Sequence, residues 1–169
     1  MEATRWQVLD VVAQLRTLIS ELRGDHPEKF GLLAALEGYV THLPGGGGAA
    51  PPQIRLHLDP QGDQFAPPVK WCLYRVAREA VWNALKYAQA RTIRLTLEWH
   101  PRQGTLWVVD DGCGFCLPAE VQEFAASHRF GLIGIVEQVE GLGGQVMLQS
   151  GPGRGTTVGV RLPIAEGTP

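Results

Sequence analysis

Cysteine is scarce in this chain: three residues in 169, at positions 72, 113 and 116. An odd count that small cannot build the disulfide framework of a secreted mini-domain, so a reducing cytoplasm is the expected location. A closed structural zinc site needs about four ligands, and no second C-x-x-C accompanies Cys113 and Cys116. Long hydrophobic runs are missing too. None approaches the ~18–20 residues of a membrane span, and neither a membrane segment nor a secretory leader is expected. Dense basic blocks are absent: 15 Lys and Arg stand against 17 Asp and Glu, a formal net charge of −2. That balance argues against a nucleic-acid surface. What is present, 44% hydrophobic and 19% charged residues, describes a folded protein with room for one domain and an attached element.

Between Trp6 and Leu22 the residues Val8, Val11, Leu15, Leu18 and Leu22 step by three and four alternately, and Leu9, Val12 and Ile19 widen the stripe. This heptad seam predicts a helix that packs either on partner helices or on the core of its own domain. Gly24 and Pro27 interrupt it, and a short helical pattern resumes through Leu32, Leu36 and Tyr39. "PGGGGAAPP" (44–52) reads as a linker or surface loop, dividing a helical region (1–43) from the remainder (53–169). There, "QIRLHLD" (53–59) and "TIRLTLEWH" (92–100) alternate as strands, and "VKWCLYRVAREAVWNALKYAQA" (69–90) is helical. "TLWVVDD" (105–111) reads as a buried strand, residues 132–142 as a helix, and "GQVMLQS" (144–150) and "GTTVGVRLP" (155–163) as two strands about a Gly/Pro turn. Hairpin-length connections among interspersed helices predict an α+β sandwich, not a doubly wound sheet.

The 69–90 helix carries a polar stripe. At ~100° per residue Glu79, Asn83 and Lys86 fall within about 60° of arc, opposite Leu73, Ala77, Ala80, Ala84 and Ala88. Asn is a poor helix-interior residue. An amide and a carboxylate one turn apart suit an oxygen-seeking cation such as Mg²⁺, with Lys86 adding charge for phosphates; a solvated polar face is the alternative. Three glycine clusters accompany the stripe: "DDGCGF" after the buried strand, "FGLIG" (130–134) opening a helix, and "GRGTT" (153–157) before the last strand. A helix N-terminus with free N–H groups favours phosphate. In "VVDDGCGFC" (108–116), Cys113 and Cys116 are either a redox or zinc pair or bystanders in a glycine turn.

Taken in order, "YRVAREAVWNALKYAQA", "VVDDGCGF", "FGLIGIVEQVEGLGGQV" and "SGPGRGTTVGVRLP" resemble the GHKL ATPases, which include gyrase, histidine kinases and mismatch-repair proteins. More narrowly they look like the catalytic domain of Nar/Des-type sensor histidine kinases, which signal to LuxR-type response regulators. "LRTLISELRGDHPEKFGLLAALEGYV" is similar to the second dimerisation helix of that subfamily and the segment after it. The resemblance implies a two-layer α+β sandwich of the Bergerat type preceded by a dimerisation-type helix, binding ATP and Mg²⁺, dimeric in the parent kinase. It further implies that Asp110 accepts from the adenine amino group with Thr156 in support through water. Gly112 and Gly114 would let the backbone pass close to the nucleotide. Asn83 would hold Mg²⁺, with Glu79 acting through water or as a polarising group, and Lys86 would contact phosphates. Gly131, Leu132 and Gly134 would shape the phosphate side, and the stretch between Phe115 and Gly131 would be the ATP lid. Cys113 then occupies the free position of D-x-G-x-G, and the sulfurs are bystanders.

The chain departs from that pattern in places. The subfamily's phosphoacceptor is a His followed by an acidic residue, whereas His26, His42, His57, His100 and His128 precede Pro, Leu, Leu, Pro and Arg. The expectation is a piece of a longer sensor kinase, without autophosphorylation of its own. Tyr87 stands where the subfamily often has His, His128-Arg129 replaces a glycine pair, and Val136 and Gln138 replace arginines. Two rival readings are a GHKL serine kinase of the anti-sigma-factor type and a non-catalytic nucleotide-sensing or dimerisation module.

Overall fold

The computed structural model describes residues 27–43, 52–117 and 130–164. The heptad segment, most of the glycine linker and the expected lid lie outside these residues. Among the described residues no helix is long and apolar enough to cross a membrane.

The elements run α1 (Pro27–Phe30), α2 (Leu32–Thr41), β1 (Gln53–Leu58), a 3₁₀ turn (Pro60–Gln64), α3 (Pro67–Asn83) with a π-helical turn (Ala84–Ala88), β2 (Thr92–His100), β3 (Gln103–Asp110), α4 (Phe130–Gly141), β4 (Gln145–Ser150) and β5 (Thr156–Pro163). The five strands form one sheet in the order β1-β2-β3-β5-β4. β1 lies parallel to β2, because α3 intervenes between them, and every other neighbouring pair is antiparallel. This is the mixed α+β sandwich that the element pattern predicts.

Period-two alternation makes the sheet one-sided. Ile93, Leu95 and Leu97 of β2, Leu106 and Val108 of β3, and Val158, Val160 and Leu162 of β5 are buried, whereas Arg94, Glu98 and Arg161 are exposed. α3 starts at Pro67 and Pro68, where a missing N–H costs nothing. Its buried positions Val69, Cys72, Leu73, Val76, Ala77, Ala80, Val81 and Ala84 follow helical spacing and cover the apolar face of the sheet. Cys72 is fully buried there, and burial pushes its thiol up to about 11, so it behaves as a small core hydrophobe. α4 adds Ile135 and Val139 to the same core.

α2 belongs to this body as well. Leu32 and Leu36 are 0% exposed and share the core with α3. The Asp63 carboxylate accepts the backbone N–H groups of Leu32 and Leu33, capping α2 from the 3₁₀ turn. The Tyr39 hydroxyl donates to the Arg78 carbonyl at 3.2 Å, and the Arg78 guanidinium lies 5.6 and 5.5 Å from the Tyr39 and Tyr74 ring centres. Thus the glycine-rich stretch joins α2 and β1, two elements packed in one core, although composition alone suggested a boundary there.

Candidate functional site

The site forms where the C-terminal end of α3 meets the end of β3. There the helix winds more widely: Ala84–Ala88 is π-helical and ends at Gln89, whose φ of 50° is left-handed. Such turns leave backbone carbonyls without intrahelical partners. Cys113 supplies them. Its N–H donates to the Ala88 carbonyl at 2.7 Å, and its thiol to the Tyr87 carbonyl at 3.4 Å. The residue read as the free position of a glycine loop therefore ties that loop to the helix.

Gly112 and Gly114 make the junction possible. A Cβ on Gly112 would stand 2.3 Å from the Ala88 carbonyl oxygen. Gly114 has φ +59°, and a Cβ there would fall 2.1 Å from the Gly151 carbonyl oxygen. The close approach observed at both glycines is to the protein's own backbone. Gly114 also faces the cleft.

The two adjacent acids divide their roles. Asp111 is exposed, and its Oδ1 accepts the N–H groups of Arg91 at 2.7 Å and Thr92 at 2.9 Å. The hydrogen bond from Thr92, then that from Arg91, holds its carboxyl below the usual carboxylate range. Asp110 is 8% exposed, and its Oδ1 accepts the Gly112 N–H at 2.8 Å. Burial raises its carboxyl above the usual range, against the hydrogen bonds from Gly112 and Thr156.

A cleft of about 580 Å³, part of it open solvent, lies over Asp110. Val108, Val158, Leu148, Ala80, Ala84 and Ala88 give it apolar walls, and Asn83, Asp110 and Thr156 its polar points. Its shape and chemistry, apolar with few convergent polar groups, are those of a small-molecule site. Half-buried Asn83 donates from Nδ2 to Glu79 Oε1 at 3.0 Å. In that orientation the Asn83 amide oxygen is left to accept or to ligate. Lys86 lies on the π turn, its Nζ 4.9 Å from the Tyr87 ring centre.

Of the residues singled out in the sequence, Asn83, Asp110, Gly114 and Thr156 line the cleft. Glu79 joins them through Asn83, and Gly112 lies beneath the loop against Ala88. Gly131 and Leu132 fall in the first turn of α4 and Gly134 in its second. Sequence reasoning gave no role to Ser150. Its hydroxyl accepts the Phe115 N–H at 2.9 Å and lies 3.0 Å from the Gly155 carbonyl and 3.1 Å from Thr156 Oγ1. The only available signal was its place at the head of "SGPGRGTT".

Solved structures share this architecture. The histidine kinase domain of the Erythrobacter litoralis EL346 blue-light activated histidine kinase superposes with a TM-score of 0.60 at 20% identity, over 79% of this chain and 65% of that one. Among curated proteins, the signal transduction histidine-protein kinase/phosphatase DegS of Brevibacillus brevis is 29% identical over 95% of this chain and 39% of its own length. The oxygen sensor histidine kinase NreB of Staphylococcus carnosus is 29% identical over 92% of this chain and 43% of its own. The chain thus spans about two-fifths of these relatives. The family model for histidine kinase-, DNA gyrase B- and HSP90-like ATPases matches residues 71–166, which hold most of α3, the D-G-C-G loop and all described strands but β1. The chain belongs to that family of ATPases.

Proposed function

We propose that this chain is the ATP-binding catalytic part of a cytoplasmic sensor histidine kinase of the Nar/Des type. It would pass the γ-phosphoryl group of ATP to a histidine outside these 169 residues, and from there to the aspartate of a LuxR-type response regulator. Both named relatives are histidine kinases. The observation that carries the reading is the Asp110 carboxylate, buried beneath an apolar cleft with Asn83 and Thr156 on the same walls.

Val108, Val158 and Ala84 line the cleft; a flat heteroaromatic base would lie against them, with its amino donor on Asp110. Asn83, held by Glu79, supplies an oxygen for Mg²⁺, a donor type this ion prefers. The ion, when bound, neutralises charge on the phosphates. Lys86, on the π turn that follows Asn83, would add a further positive charge for the phosphates. Phosphoryl transfer asks little covalent chemistry of the protein; positioning and charge neutralisation do most of the work. The heptad segment would help pair two parent chains, with the acceptor histidine on the other dimerisation helix.

The reading is tested with γ-labelled ATP and a related full-length kinase whose ATP site is disabled but whose acceptor histidine is intact. Acid-labile phosphohistidine is expected on that kinase and none on this chain alone. Acid-stable phosphoserine, or robust label on any of the five histidines here, would contradict it.

A further inference from the structure

Ser150 closes β4 beside the cleft without lining it. A serine hydroxyl has one proton to give and two positions at which to accept. The Phe115 N–H, 2.9 Å away, fills one accepting position. The Ser150 proton then goes to the Gly155 carbonyl, 3.0 Å away, or to Thr156 Oγ1, 3.1 Å away. In the first case Thr156 must give its own proton to Ser150 to keep the contact. In the second, the Thr156 proton is turned away from Ser150. Thr156 lines the cleft beside Asp110, and an ionised carboxylate only accepts; with the Thr156 proton on Asp110 the second arrangement holds, and Ser150 sets that direction from behind.

That direction bears on which base fits. A 6-aminopurine offers a donor next to a ring-nitrogen acceptor; a 6-oxopurine offers an acceptor next to an N–H donor. An ionised carboxylate only accepts, whereas a hydroxyl free to rotate serves either pattern. We propose that Ser150 is a positioning residue for base recognition, locking the Thr156 hydroxyl beside Asp110 so that the cleft prefers 6-amino over 6-oxo purine nucleotides. The same hydroxyl couples that choice to the backbone at Phe115, the residue where the chain leaves the glycine loop. The inference rests on the ATP-binding reading of the cleft and adds the residue that sharpens its selectivity.

The test is calorimetric titration of the full chain with Mg²⁺ and either ADP or inosine diphosphate, in wild type, Ser150→Ala, Thr156→Val and the double variant. Unfolding temperatures are recorded alongside. Ser150→Ala is expected to lose about tenfold in ADP affinity, the scale of one ordered hydrogen bond, and clearly less for inosine diphosphate. In the Thr156→Val background, removing the Ser150 hydroxyl should leave the ADP-to-inosine-diphosphate ratio unchanged, because the route through Thr156 is already cut. Equal losses for both nucleotides, or an additive effect in the double variant, would overturn the inference while leaving ATP binding in place. A wild type that binds neither nucleotide would overturn the reading of the cleft itself.

Discussion

Asp110 and Asp111 are chemically identical neighbours with opposite tasks, and their surroundings alone separate them. Asp111 turns outward to hold the first residues of β2. Asp110 turns inward, where burial raises its pKa. A raised folded-state pKa means that the folded protein takes up this proton more readily than the unfolded chain. The group's favourable contribution is therefore complete below the unfolded pKa and is lost as pH rises through the folded one. Asp110→Asn carries no charge to bury, and its amide oxygen can still accept the Gly112 N–H. Without ligand, this variant should be more stable than wild type at neutral pH, with the gap closing as pH falls through the carboxylate range. Its NH₂ would then face the amino group of adenine, donor against donor, lowering nucleotide affinity by about ten- to a hundredfold. Thermal melts over pH and ligand titrations measure both effects; a variant that is less stable at neutral pH, or that binds normally, would contradict this account of the carboxylate.

Elements were legible wherever one periodicity ran uninterrupted. α3, with buried residues at helical spacing, and β2, alternating from Ile93 to Leu97, lie where their patterns predict. The helical wheel is less apt beyond Asn83, because Ala84–Ala88 winds as a π turn and Lys86 leaves the assumed 100° spacing. The attachment of α2 was not legible at all. Its cap is Asp63, about 30 residues further along the chain, and a glycine run between them resembles a boundary. Ser150 was hidden for a similar reason, since its role exists only through Phe115, Gly155 and Thr156. The shared core makes a testable demand. Leu36→Ala should cost about 2–5 kcal/mol in the same unfolding transition that nucleotide stabilises, as for any fully buried leucine. Denaturant titration showing a loss below ~1 kcal/mol, or a separate transition for the α2 region, would argue that α2 is only loosely attached.

At the scale of the whole molecule, a one-sided sheet under α3 brings a buried carboxylate, a helix amide and a glycine turn together at one end of the sandwich. The family match covers that end, and its lining residues come from four separate stretches of sequence: α3 with its π turn, β3 with the loop after it, β4 and β5. The claim on which the rest depends is that this cleft takes an adenine nucleotide through Asp110. Isothermal titration of the purified chain with Mg²⁺ and ADP, set beside Asp110→Ala, addresses it most directly. Wild type should bind one nucleotide per chain at micromolar to millimolar affinity. Asp110→Ala, which leaves the amino donor unpaired, should lose about 1–3 kcal/mol or more of binding free energy. Equal affinity for the two proteins would show that the nucleotide, if bound, is not read by Asp110, and would contradict the site described above.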